Sequence, residues 1–137
     1  MSKGIKGFQR KLKAMPEAAR RAIAPATAQG ADEIARTAEA LAPEDSGDLV
    51  GSIAVTLGPN ATPAHSHPGG TKTVPDGAAA VTAGNSDVRY AHLVEFGTTK
   101  AAAQPFFWPA FRSQRKRALN RIKRAMSKAV KEEFNRG

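Results

Sequence analysis

Apolar residues recur at helical intervals near both ends of the chain and alternate in its middle. Ile5, Phe8, Leu12 and Met15 share one helical face and predict a first helix. Pro16 suits a first helical turn, where a missing N–H goes unnoticed. From there to Leu41 the chain is rich in Ala. Ala19, Ile23, Ala26, Gly30, Ile34, Ala38 and Leu41 form a narrow stripe whose small members would let another backbone come close. Pro25 is expected to kink or restart this helix, because its ring clashes one turn back and it lacks a donor. Pro43 is expected to end it.

Asp45, Ser46 and Gly47 then predict a turn. Ser52 to Leu57 alternates and reads as a strand, Ala78–Ala83 as a second, and Val88–Phe96 as a third. In that third strand Val88, Tyr90, His92, Val94 and Phe96 would share one face, and Ala91, Leu93 and Glu95 the other. Residues 58–77 hold four Pro and four Gly, which predicts a long, flexible loop. Pro109 can open a final helix with Phe111, Ala118, Leu119, Ile122, Met126, Ala129, Val130 and Phe134 on its apolar side, expected to pack on the sheet. The order of elements predicts a single α+β domain over 1–137, a small antiparallel sheet packed with long N-terminal and C-terminal helices.

Charge adds what the pattern does not. The chain of 137 residues carries +9 overall, and the charge is segregated. Residues 1–21 hold seven Lys/Arg and one acid, residues 22–111 four and nine, residues 112–137 ten and two. A basic head and tail around an acidic middle point to a polyanion, to an acidic neighbouring subunit, or to both. In the last helix Arg115, Lys116, Arg117, Lys123, Arg124 and Lys128 are the candidate contacts to a subunit or to DNA. Phosphate contact fits them, and no base-reading motif accompanies them.

Other chemistry is thinly represented. There is no Cys, so neither a disulfide nor a thiolate metal site can form. His65 and His67 stand two apart in the Pro/Gly loop and read as solvated, with His92 the only other His. Glu44, Asp45 and Asp48 lack the spacing of a calcium loop. His92 and Glu95, on opposite strand faces, make no acid–base pair, and Glu95 is expected to meet a basic side chain from a terminal helix. No nucleophile motif or phosphate-cradling loop is present, so neither an enzyme nor a cofactor is expected. The basic opening lacks an apolar signal core and no run is long enough to cross a membrane, which predicts neither export nor membrane residence. Phe106, Phe107, Trp108 and Phe111 make up half of the aromatic residues and read as core, with Phe107 and Trp108 best placed to reach a neighbour.

Three blocks carry a resemblance. The segment from Ala42 to Ile53, with Pro43, Ser46, Gly47, Leu49 and Ser52, is similar to an Ala-Pro, acidic, Thr/Ser-Gly, Leu, Ser-Ile block. Tyr90 to Thr98, with Glu95, Phe96 and Gly97, is similar to a Tyr-Ala, Glu-Phe-Gly-Thr block. Gln104 to Phe111, with Pro105, Phe106 and Pro109, is similar to a Pro-Phe, Pro-Ala block. In this order they resemble the neck, or tail-completion, proteins of siphophages. The long Pro/Gly/His loop departs from that pattern.

The resemblance implies a structural virion protein at the phage head–tail junction, assembled in the bacterial host cytoplasm. Its copies would form a ring, a hexamer, between head-closure and tail proteins, continuing the channel through which double-stranded DNA passes. The rival reading is a free, basic nucleic-acid-binding protein, which the sequence pI near 10.4 also fits.

Overall fold

A computed structural model describes residues 17–44 and 47–136. The helix expected from Ile5 to Met15, the Pro16 start, the turn residues Asp45 and Ser46, and the burial expected of Phe134 lie outside what is described. Helix α1 runs from Glu17 to Leu41. A short helix α2, Asp48–Gly51, precedes strand β1, Ala54–Leu57. Strand β2, Ala79–Thr82, is followed by helix α3, Ala91–Phe96, and the long helix α4, Phe107–Arg136. The fold is α+β, a two-stranded antiparallel sheet set with long helices from both ends of the chain.

α1 and α4 pack along each other and form the body of the protein. The pairing is antiparallel: Ile23 clusters with Ile122 and Ala129, and Ala38 clusters with Phe106 and Ala110. Small residues let the helices meet. A Cβ built on Gly30 would stand 2.9 Å from the Ala118 Cβ, nearer than atoms of that kind approach. The α1 stripe is as the spacing predicts through Ala19, Ile23, Gly30, Ile34 and Ala38, and it widens to take in Thr27, Ala31 and Ala35. Leu41 does not join it and is 48% exposed; Ala42, one residue later, is buried in its place. Pro25 does not restart the helix. It sits within α1 on the exposed side, where an Ala-rich turn tolerates the missing hydrogen bond.

The sheet pairs Ala54 with Thr82, Val55 with Val81, Thr56 with Ala80 and Leu57 with Ala79. α1 packs on both strands. The apolar stripe of α4 therefore faces α1 and not, as its pattern suggested, the sheet; only the start of α4 reaches the cluster that includes Val55 and Val81. Val130 stays 53% exposed.

The stretch 58–77 has a frame of its own. Val74 N–H donates to the Asn60 carbonyl and Thr62 N–H to that of Lys72, both at 2.8 Å. The buried Thr62 hydroxyl accepts from Lys72 N–H and donates to the Gly70 carbonyl. The chain then folds back, and His67 exchanges both backbone hydrogen bonds with Ala83, at 2.7 and 3.0 Å.

The expected third strand is a helix. Val88, Ala91 and Glu95 are the buried positions of that stretch, and their spacing of three and four belongs to a helix. A strand would have buried alternate residues, yet Tyr90, His92 and Phe96 are all exposed. The sheet accordingly ends at two strands among the described residues.

Candidate functional site

The second and third motif blocks meet at Glu95. Its side chain is 3% exposed. One carboxylate oxygen accepts the N–H groups of Phe106 and Phe107 at 3.1 and 2.8 Å, and the other accepts that of Trp108 at 3.2 Å. These are donors that a helix start leaves without intrahelical partners. Pro109 has no donor, and Ala110 N–H returns to the Phe106 carbonyl at 3.3 Å. Every backbone donor from Phe106 to Ala110 is thus accounted for, and the acidic group lies where the α4 dipole favours it. The expected pairing of Glu95 with a basic side chain is replaced by this cap.

Gly97 makes the turn that brings the two blocks together. At φ 79° and ψ 174° it occupies backbone space that favours glycine, and an added Cβ would lie 2.7 Å from Ala103 N. Thr98 closes the following turn, accepting through its hydroxyl from Lys100 and Ala101 N–H. Gln104 N–H then donates to the Val94 carbonyl at 2.8 Å, which leads Pro105 and Phe106 back to Glu95.

The first block is tied in by Ser52. Its buried hydroxyl donates to the Leu49 carbonyl at 2.7 Å and accepts from Gly84 N–H at 2.9 Å, joining α2 to the end of β2. Leu49 is buried in the main cluster. Gly47 precedes α2 with φ 80°. Pro43 is half-buried and Pro105 exposed. Most motif residues thus lie around one end of the protein, where the C-terminus of α1 meets the N-terminus of α4.

That end shows an apolar face. Tyr90, just before α3, and Leu93 and Phe96 within it, at intervals of three, are 38%, 45% and 65% exposed. Behind them sits His67. It is not the solvated loop residue its setting suggested: Phe96, Phe107 and Trp108 surround it in edge-to-face contacts at 5.6, 5.3 and 6.0 Å. Its Nε2 has no hydrogen-bond partner. Burial pushes its pKa below the ordinary value, against the pull of nearby Glu95 and with a smaller push from His92. Phe107, expected to reach a neighbour, is 3% exposed and belongs to the core, while Trp108 is half-buried.

The second surface is the outer side of α4. Lys116, Arg117, Lys123, Arg124 and Lys128 are all exposed. The described ion pairs involve other residues: Arg21 with Glu17, Arg36 with Asp32 and Glu39, and Arg121 with Glu33 at 2.5 Å. Arg115, half-buried, is engaged within the chain and stands apart from the exposed set. Among the described residues, no three His, Asp or Glu side chains converge on a possible metal position, and no helix is long and apolar enough to cross a membrane.

Sequence reasoning found the basic helix and the motif blocks. It missed the cap, although a lone acid a short link before Pro-Phe-Phe was its available signal. It missed the seat of His67, for which the local sequence offers none.

No curated protein and no solved structure matches the chain. The family described as "Bacteriophage HK97-gp10, putative tail-component" matches residues 6–97. That span holds the first motif block, the second up to Gly97, and all elements up to α3, which is well over half of the chain. The chain therefore belongs to the HK97-gp10-like family of bacteriophage tail components.

Proposed function

We propose that the protein is a structural, non-enzymatic subunit of a closed ring of six copies at the phage head–tail junction. The ring completes the tail, adjoins head-closure and tail proteins, and continues the DNA channel. The observation that carries this reading is the apolar face of Tyr90, Leu93 and Phe96, in a chain whose family is a tail component. Leu93 and Phe96 stand on a helix anchored by Glu95, with Tyr90 at its start, so the face is presented rigidly. A single face of this kind meets a different surface on the next copy, and such head-to-tail contacts close into rings when the rotation allows.

Phage carrying Phe96→Glu tests the proposal. Phe96 is 65% exposed, so the isolated chain should fold as wild type. Heads and tails should form but fail to join. Normal yields of infectious particles would remove this face from assembly. The rival, a free nucleic-acid-binding protein, predicts joined particles in the same experiment.

A further inference from the structure

The outer side of α4 repeats every seven residues. Ser113, Asn120 and Ser127 form one row, Lys116 and Lys123 a second, and Arg117 and Arg124 a third. Seven residues are nearly two helical turns, so each row runs along the helix with a slow drift. At about 100° per residue the small polar row lies between the Lys row and the Arg row. Lys128 and Lys131 continue the strip. Asn120, Lys123, Arg124, Ser127, Lys128 and Lys131 line one shallow, open depression along α4, with Glu132 the single acid beside it. The arrangement is an exposed cationic strip with hydroxyl and amide groups along its middle.

The acids of α1 on a second copy are poor occupants. All four acids of α1 are paired within their own chain: Glu17 with Arg21, Asp32 and Glu39 with Arg36, and Glu33 with Arg121. No such partner is described for Lys116, Arg117, Lys123, Arg124, Lys128 or Lys131. The strip from Lys116 to Lys131 is roughly 22 Å long at about 1.5 Å per residue. Duplex DNA presents about one negative charge per 1.7 Å of its axis, so it supplies charge along that whole length. Hydroxyl and amide groups donate to phosphate oxygens as Lys and Arg do, and such contacts carry no sequence information.

We propose that this face of α4 binds the sugar–phosphate backbone of double-stranded DNA without regard to sequence. The choice of DNA rests on the channel reading, but binding by the purified chain does not need a ring.

The test is fluorescence anisotropy with the full chain and a duplex of about two helical turns, in two unrelated sequences, across about 50–200 mM salt. Wild type should bind both sequences alike, and more weakly as salt rises. Lys123→Ala with Lys128→Ala should weaken binding about tenfold and lower the logarithmic salt slope by roughly 2. Lys72→Ala with Lys100→Ala removes the same charge from exposed positions elsewhere and should leave the slope unchanged. Equal losses from both pairs, or no duplex binding by wild type, would overturn the proposal. Preference for polyglutamate over the duplex would overturn it too, by making the face a dock for an acidic protein. A ring found in the particle beside any of those results would leave the proposed function standing and remove this inference alone.

Discussion

Glu95 and Phe107 are 12 residues apart in sequence, and a carboxylate oxygen of the first accepts the backbone N–H of the second at 2.8 Å. The bond, with its partners to Phe106 and Trp108, makes the start of α4 depend on a side chain of α3. The exposed face of α3 is thereby fixed relative to the helical body. The proposed assembly face and fold stability share this link.

Removing the cap should therefore be costly. Glu95→Ala leaves the buried N–H groups of Phe106 and Phe107 without acceptors and should lose about 2–3 kcal/mol in urea unfolding. Glu95→Gln keeps one acceptor oxygen and should lose less. Wild-type stability in Glu95→Ala would mean that the N-terminus of α4 is held by something else.

The cap also marks the limit of what the sequence reveals. The long helices were legible because their stripes persist over many turns, and Ala38 and Ile122 lie buried as their spacing predicts. Strand β1 was legible from alternation, though it begins at Ala54 and not Ser52, which instead caps α2, and β2 was legible within the expected Ala78–Ala83. The stretch from Val88 to Phe96 was not, since six helical residues are too few to separate a period of two from one of 3.6. The partners of Glu95 are backbone groups 11 to 13 residues away, and backbone donors leave no trace in residue identity. His67 was misread for a related reason. Its burial depends on a loop folding back to Ala83, a contact that no local pattern encodes.

The crossing of α1 and α4 yields a paired prediction. Gly30→Ala places a methyl 2.9 Å from the Ala118 Cβ. The clash should cost about 1–3 kcal/mol, outweighing the roughly 1 kcal/mol that Ala gains over Gly in a helix. Ala118→Gly opens the same space. Thermal melts should find the double variant more stable than the sum of the single losses by about 1 kcal/mol. Simple additivity would mean the two residues do not meet.

His67 predicts a pH dependence. Its folded pKa lies below the ordinary 6.5, so the unfolded chain takes up the proton first. The stability contributed by neutral His67 is whole above about pH 6.5 and is lost as pH falls from there through the depressed folded value. His67→Phe keeps an aromatic ring among Phe96, Phe107 and Trp108 and should flatten the decline that sets in below about pH 6.5. An unchanged decline in the variant would assign it to other groups.

The most direct measurement is an electron cryo-microscopy reconstruction of the neck of the intact particle. It should show this chain as a closed six-fold ring between the head-closure proteins and the tail tube, with Tyr90, Leu93 and Phe96 of each copy covered by the next. A single copy, a position away from the junction, or no density for the chain would contradict the account.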